Sequence, residues 1–232
     1  MTTRDDEYKR LRDIYAEYGS DGHKQKSWLF NNPGNKCIVD ERESRIRSLL
    51  SSHESLCDGP VLDIGCGAGD LLRVLIDLGI KPKSIIGADL LPERLRQASE
   101  RYPECSILQA NGLALPFQNE SISLLCQFTL LSSVLDPEIR LNMARESLRV
   151  MRNNGLLLLY DIRYNNPANP HVRRIGRNEM KRLFPGCVIV FRSLTLLPPL
   201  ARKLGRATNI LYPLLCSIPL FRTHYLCTIQ KS

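Results

Sequence analysis

Three glycines at alternate positions constrain this chain more than any other feature. Gly65, Gly67 and Gly69 follow the short apolar run 61–64 and precede the helical pattern 71–76. Glycine permits the positive φ that a tight turn needs, and its missing side chain lets a ligand lie against the backbone. A strand, a glycine turn and a helix begin a nucleotide-binding α/β unit. The pattern therefore predicts an α/β fold with a ligand at this turn.

Carboxylates flank the glycine turn. Asp63 lies at the end of the strand, and Asp70 comes directly after the last glycine. A dinucleotide would bring a diphosphate to this turn, and its fingerprint has the spacing G-x-G-x-x-G. Two carboxylates instead favour a ligand with positive charge, such as an ammonium or a sulfonium. A strand-to-helix turn without any ligand is the alternative.

Residues 62–69, Leu-Asp-Ile-Gly-Cys-Gly-Ala-Gly, resemble the first motif of the class I S-adenosylmethionine (SAM)-dependent methyltransferases. The resemblance covers about residues 58–163 and is strongest at 61–69, 85–94 and 111–117. It implies a Rossmann-like, doubly wound α/β sheet of seven mostly parallel strands, with an antiparallel last strand and helices on both faces. SAM is the cofactor that it implies.

The resemblance also suggests how the chain is divided. We expect N-terminal helices and a lid in residues 1–57, and a SAM-binding core in residues 58–232 with a helical cap at about 197–221. The pattern of residues 5–18 predicts an amphipathic helix whose apolar side packs into the core. We interpret the loop 28–35 as a lid segment. A second helix over about 38–53 is expected to close over the cofactor, as such helices do in the family.

Polar residues at the ends of the predicted strands are candidates for binding the cofactor. Asp89 ends a second buried strand, 24 positions after Gly65, where a carboxylate is suited to accept both ribose hydroxyls. A helix N-cap is the alternative role for Asp89. Leu90 would lie under the adenine, and Asn111 replaces an aspartate that accepts from the adenine amino group in many relatives. The predicted cofactor-binding residues are Asp63, Gly65, Cys66, Gly67, Asp89, Leu90, Asn111, Gly112, Gln127 and Phe128.

A general base is required if the methyl acceptor is a hydroxyl. His171 and Asp161 are the best-placed candidates after the fifth strand, with Tyr164 as an orienting group. A surface-loop histidine is the alternative reading of His171, and His224 on the last strand could also face the pocket. The eight cysteines lack the paired spacing of a zinc site, so we expect no metal and buried free thiols.

The chain lacks a motif that is typical of methyltransferases acting on nucleic-acid bases, and this limits the class of methyl acceptor that we expect. Methyltransferases that act on base amino groups resemble Asn/Asp-Pro-Pro-Tyr after the fourth strand, where this chain has Gln-Phe-Thr at 127–129. The net charge of +8 permits a nucleic acid, an anionic membrane or an acidic substrate, but the basic residues are spread out. We therefore expect methyl transfer to a hydroxyl of a small molecule or glycan, and no nucleic-acid partner. A non-catalytic SAM-binding protein and an NAD(P)-dependent oxidoreductase are the alternatives.

The segment before the last strand contains an apolar stretch at 209–221 that is too short to span a bilayer. It could cap the acceptor pocket, form a dimer face or make a shallow contact with a membrane, so a monomer and a homodimer both remain open. The first thirty residues are polar and charged and do not resemble a signal peptide. We accordingly expect a cytoplasmic protein.

Overall fold

The computed structural model describes residues 4–20 and 31–231, and its centre is a seven-stranded sheet with the order β3-β2-β1-β4-β5-β7-β6. The first five strands pair in parallel, and β7 runs antiparallel to both β5 and β6. This arrangement confirms the predicted fold class. The strands are β1 Val61–Ile64, β2 Ile85–Asp89, β3 Ser106–Gln109, β4 Ile122–Phe128, β5 Met151–Ile162, β6 Cys187–Leu196 and β7 Arg222–Lys231.

Helices cover both faces of the sheet, and each face has its own buried apolar cluster. Leu72 and Leu75 belong to one cluster, whereas Val150 and Met180 belong to the other. The helices are α1 Arg4–Ser20, α2 Pro33–Leu50, α3 Glu54–Cys57, α4 Asp70–Asp77, α5 Pro92–Arg101, α6 Pro137–Val150, α7 Arg177–Leu183, α8 Pro198–Lys203 and α9 Thr208–Cys216. Burial of side chains at about 25 cal/mol per Å² of apolar surface stabilises the sandwich.

Strand β1 marks the point where the order of the sheet reverses. It lies between β2 and β4, and all four of its residues are buried, as in a central parallel strand covered on both faces. The connections after β1 and β4 leave the sheet on opposite sides, which opens a crevice at the carboxyl ends of these strands. Open α/β sheets bind ligands in this crevice.

The start of α2 corrects the lid prediction. Asn32 caps this helix, because its Oδ1 accepts hydrogen bonds from the backbone N–H groups of Gly34 (2.9 Å) and Asn35 (3.3 Å). Pro33 occupies the first helical position, where no intrahelical donor is needed. Residues 33–35 therefore belong to a helix rather than to a loop, and residues 28–30 lie outside the described residues.

Helix α2 packs against the cap that joins β6 to β7. A Cβ on Gly34 would overlap the backbone carbonyl of Ala201 in α8, so only glycine permits this close approach. The cap is helical, as expected, and consists of α8, α9 and two single turns, Gly205–Ala207 and Pro219–Phe221. Within residues 4–20 and 31–231, no helix is long and apolar enough to cross a membrane.

Asn153, Asn154 and Gly155 lie within β5 and not at the end of a helix. Helix α6 already ends at Val150, and β5 begins at Met151. The pairing of β4 with β5 shifts register between Ile122 and Leu124, which accommodates the exposed residues at the start of β5.

Candidate cofactor site

The glycine turn after β1 has the backbone geometry that its spacing predicts. Gly65, Gly67 and Gly69 have φ values of +78°, +55° and +86°, which L-residues with side chains rarely adopt. The backbone N–H groups of Gly65 and Cys66 both donate to the carbonyl oxygen of Ala88, at 2.7 and 3.0 Å. These bonds fix the turn to the neighbouring strand β2.

Asp89 connects the turn to the start of α5. Its buried carboxylate accepts from the backbone N–H of Gly67 through Oδ2 and from that of Leu91 through Oδ1, each at 2.9 Å. Leu91, rather than Asp89, is the N-cap residue of α5. A carboxylate oxygen can accept more than one hydrogen bond, so Asp89 retains capacity for further donors such as hydroxyls.

Three carboxylates surround the turn. Burial, together with the charges of Asp89 and Asp70, raises the pKa of Asp63 to about 8. A cationic group placed among these carboxylates would favour their charged forms. The electrostatics of the turn are therefore suited to a positively charged ligand.

A cleft of about 850 Å³, part of it open solvent, lies over the carboxyl ends of β1, β2 and β4. Six predicted cofactor residues line the cleft together: Gly65, Asp89, Leu90, Asn111, Gly112 and Phe128. Oδ1 of Asn111 accepts from the backbone N–H of Leu113 at 3.0 Å, which leaves one lone pair for a ligand.

The side chains of Cys66 and Gln127 do not reach the cleft. The thiol of Cys66 lies beneath the turn, donates to the carbonyl oxygen of Gly67 and packs close to Gly87, and burial raises its pKa. Gln127 is buried and donates through Nε2 to the Ser147 hydroxyl at 2.8 Å. Cys66 can therefore contribute only its backbone, and the prediction for Gln127 is corrected.

Asp63 and Gly67 are not among the residues lining the cleft. Asp63 lies below the turn and is buried, so its side chain does not contact a ligand in the cleft. The surface of Gly67 is covered by the guanidinium of Arg94, which a Cβ at position 67 would overlap. Arg94 also lies over the ring of Tyr15, 4.6 Å from its centroid. The sequence reasoning missed Arg94, although it lies only five residues after Asp89.

Helix α1 covers the cleft, where sequence reasoning favoured packing into the core. Tyr8, Leu11 and Tyr15 face the cleft, whereas Ile14 is buried. The helical spacing of these residues predicts that they share one face of the helix. It does not indicate whether that face packs into the core or covers a cleft. Side-chain details of Tyr18 lie outside the described residues.

A buried ion pair attaches α1 to the loop after β4. Glu7 binds Arg10 at 2.6 Å and accepts from the backbone N–H of Leu135 at 2.9 Å. Arg10 also donates to the carbonyl oxygen of Ser133. Glu7 lines the cleft, so the same contacts bring a carboxylate to its wall.

Asp161 does not reach the cleft, which corrects its assignment as a candidate base. Its carboxylate is buried and accepts from the backbone N–H groups of Ser132 (3.0 Å) and Ile162 (2.9 Å). Burial raises its pKa to about 6. These bonds hold the turn that follows β4, which is a structural role.

His171 and Tyr164 also lie away from the cleft, on the loop after β5. The Tyr164 hydroxyl accepts from Arg163 at 2.7 Å, and the backbone N–H of His171 donates to the side chain of Asn169 at 3.1 Å. Neither residue lines the cleft. The structure therefore does not bring the three predicted catalytic residues together.

His224 is part of a buried aromatic stack. Its ring lies parallel to that of Tyr160, with centroids 4.6 Å apart, and Tyr160 in turn stacks on Phe128 at 5.6 Å. Burial, together with the charge of Arg42, lowers the pKa of His224 to about 3. The imidazole is therefore neutral and does not line the cleft.

Comparisons with known proteins agree with this geometry. A family model described as a methyltransferase domain matches residues 61–155. A trans-aconitate 2-methyltransferase of Rhodopseudomonas palustris is 38% identical over 72 residues, which are 31% of this chain and 28% of that protein. A probable SAM-dependent methyltransferase of Mycobacterium tuberculosis is 27% identical over 134 residues, 53% of this chain and 46% of that protein. The chain thus spans less than half the length of these curated relatives.

A solved structure extends the likeness to the whole chain. Phosphoethanolamine N-methyltransferase 1 of Haemonchus contortus, in complex with phosphoethanolamine and S-adenosylhomocysteine, matches with a TM-score of 0.65 at 16% identity. The match covers 99% of this chain and 50% of that one. At this identity the likeness is one of fold.

Residues 61–155 thus match a methyltransferase domain, and the curated relatives include SAM-dependent methyltransferases, so the comparisons support a class I SAM-dependent methyltransferase.

The cofactor of this methyltransferase family is SAM, and the residues around the turn fit it. The buried carboxylate of Asp89, which lines the cleft, disfavours a diphosphate at this position. Asp89 has acceptor capacity for ribose hydroxyls, and Leu90 with Gly112 offers apolar and small surfaces for a base. The individual roles of these residues in the methyltransferase remain predictions.

Proposed function

We propose that this methyltransferase transfers the methyl group of SAM to a hydroxyl of a small molecule or a glycan. The proposal rests on one observation: Gly65, Asp89 and Asn111, which come from three separate motifs, line the same cleft. The absence of the motifs typical of base-amino methyltransferases also favours a small acceptor.

Different residues of the cleft suit different ligands. Asp89, Leu90 and Asn111 are suited to the nucleoside of the cofactor. Phe128, Thr129 and Glu7 also line the cleft, and we assign these three residues to the methyl acceptor.

SAM supplies an electrophilic methyl group on a sulfonium, so the protein has to bind and orient the acceptor and to exclude water. Tyr8 of α1 would cover the acceptor. Glu7 is a carboxylate on the acceptor side, and its Oε2 accepts from Arg10 Nε at 2.8 Å. Oε2 has a further lone pair, which we propose orients the acceptor hydroxyl and takes its proton as the oxygen is methylated.

The acceptor class is tested by incubating purified protein with methyl-labelled SAM and separated cellular fractions. We expect label in the small-molecule or glycan fraction, and none in protein-free RNA. Label that enters RNA and neither of the other fractions would contradict the proposed acceptor class.

The role of Glu7 is tested with Glu7→Gln once an acceptor is found. We expect kcat to fall about 100-fold, the usual size of a general-base contribution, and the Kd for SAM to stay within about twofold. Glu7→Asp should restore part of the activity. Glu93→Gln, an exposed glutamate in the first turn of α5, is the matched control. Full activity of Glu7→Gln would exclude Glu7 as the base.

A second candidate is a SAM-binding protein without catalysis. It is favoured by the position of His171, Asp161 and Tyr164, none of which lines the cleft. Such a protein would bind SAM and its demethylated product, but would transfer no label to any fraction in the same experiment.

A further inference from the structure

The positive charge of the chain is concentrated at its C-terminal end. Residues 180–232 contain eight lysines and arginines and no acidic residue. The remaining 24 basic and 24 acidic residues balance, so this segment carries the whole net charge of +8. A segment of one sign favours a partner of the opposite charge.

The same segment exposes a cluster of large apolar side chains on α9 and the turn that follows. Ile210, Leu214 and Leu220 are 69%, 61% and 71% exposed. Single exposed leucines are ordinary, but neighbouring ones in one segment indicate a binding surface. We define the cap patch as Ile210, Leu211, Leu214, Ile218 and Leu220.

The outward orientation of the cap patch is fixed by the opposite face of α9. The Tyr212 hydroxyl donates to Glu41 Oε2 at 2.8 Å, and the Cys216 thiol donates to Glu41 Oε1 at 3.2 Å. Both residues are buried against α2 and β6. Because these bonds hold the inner face, α9 cannot rotate to bury Ile210 and Leu214 without breaking them.

Basic residues adjoin the cap patch. Lys203 and Arg206 are exposed directly before α9. Arg163 donates to the carbonyl oxygen of Pro219, next to Leu220. Apolar side chains flanked by lysine and arginine are typical of segments that insert into a bilayer interface, with the cations at anionic headgroups.

We propose that the cap patch is a docking surface for an anionic membrane. Ile210, Leu214 and Leu220 enter the acyl–headgroup boundary, and Lys203 and Arg206 pair with acidic headgroups. The cap leaves the sheet at the carboxyl end of β6, so the patch lies at the same edge of the sheet as the cleft. A membrane is favoured over a second copy of the chain, because two copies would bring like charges together.

The test is cosedimentation of the purified protein with phosphatidylcholine vesicles, with and without phosphatidylglycerol. We expect binding only with the acidic lipid, weakening as salt is raised. The double variant Ile210→Asp/Leu214→Asp should bind at least about tenfold more weakly, since it removes two inserted side chains. The matched control is Val188→Asp/Val190→Asp, two exposed valines on β6 away from the cap, which should bind like the wild type.

Thermal unfolding checks that both variants are folded, and light scattering gives their oligomeric state. Binding of the wild type and the cap variant to an equal extent would overturn the proposal, as would no binding to acidic vesicles at low salt. A wild-type dimer that the cap variant converts to a monomer would assign the patch to a second copy instead. None of these measurements needs SAM or an acceptor, so they are independent of the proposed activity.

Discussion

The guanidinium of Arg94 lies against the backbone of Gly67, in the space that any side chain at position 67 would occupy. The same guanidinium lies over the ring of Tyr15 in the helix that covers the cleft. The glycine turn, α5 and α1 therefore meet at one point. A cofactor that lies along the turn has to contact Arg94 or displace it.

Substitution Gly67→Ala is expected to abolish measurable SAM binding. The φ of +55° costs an L-residue about 1–2 kcal/mol, and the added Cβ would displace the Arg94 guanidinium and occupy the surface along which the cofactor lies. Gly79→Ala is the matched control, because Gly79 has φ +88° but nothing within 4 Å of an added Cβ. Thermal unfolding should show both variants destabilised, and calorimetry should show SAM binding lost only in Gly67→Ala. Equal affinity in the two variants would contradict a cofactor at this turn.

The buried carboxyl of Asp63 should make stability depend on pH. Its pKa is raised from 3.8 to about 8, so the folded protein holds this proton more tightly than the unfolded chain does. Stability from this group is complete below about pH 4 and is lost as pH rises to about 8. The free energy of unfolding of the wild type, measured with urea, should therefore fall by several kcal/mol between pH 4 and 8 relative to that of Asp63→Asn. A constant difference between the two proteins over that range would show that Asp63 is ionised throughout.

His224 should give the opposite pH dependence. Its pKa is lowered from 6.5 to about 3, so the unfolded chain binds this proton more tightly than the folded protein does. The stability from neutral His224 is present above pH 6.5 and is lost as pH falls toward 3. Between pH 6.5 and 5 the free energy of unfolding of the wild type should fall by about 2 kcal/mol relative to that of His224→Phe. Phenylalanine is chosen because it keeps a ring stacked on Tyr160. If the free energies of unfolding of the two proteins differed by a constant amount between pH 6.5 and 5, the imidazole of His224 would not be buried and neutral.

Thr129 is held in a strained conformation at the wall of the cleft. Its φ is +52°, rare for a β-branched residue, and its backbone N–H donates to the carbonyl oxygen of Tyr160 at 2.7 Å. Thr129→Gly should raise stability by about 1 kcal/mol and lower the affinity for cofactor or acceptor. The matched control is Glu120→Gly, at φ +54° and outside the cleft, which should gain stability with unchanged binding. A lower free energy of unfolding in Thr129→Gly would show that the contacts of the Thr129 side chain stabilise the fold by more than the backbone strain destabilises it.

The sheet and much of the cofactor side of the site could be predicted from local patterns. The buried run of β1, the glycine spacing and Asp89 at the end of β2 are each determined within a few residues, and parallel strands bring their carboxyl ends to one edge. Asn32 and Pro33 were misread because the same residue types favour turns and helix N-termini.

The acceptor side could not be predicted in the same way. Whether Tyr8 and Tyr15 pack into a core or cover a cleft depends on where α1 docks, and the contacts that fix α1 join Glu7 to Leu135 across the sequence. Asp161 was a reasonable candidate base by position, but its oxygens are used by the backbone of the turn after β4. Helical periodicity and the positions of strand ends do not indicate which residues, far apart in the sequence, form hydrogen bonds with each other.

Calorimetric titration shows whether Asp89 binds the ribose of SAM. The wild type, Asp89→Ala and the control Asp58→Ala, an exposed aspartate outside the cleft, are titrated with SAM, S-adenosylhomocysteine and NAD. The wild type and Asp58→Ala should bind the first two ligands and not NAD. Asp89→Ala should bind at least about 100-fold more weakly, because two charge-assisted hydrogen bonds are lost. Unchanged SAM affinity in a folded Asp89→Ala, or binding of NAD in place of SAM, would contradict the account.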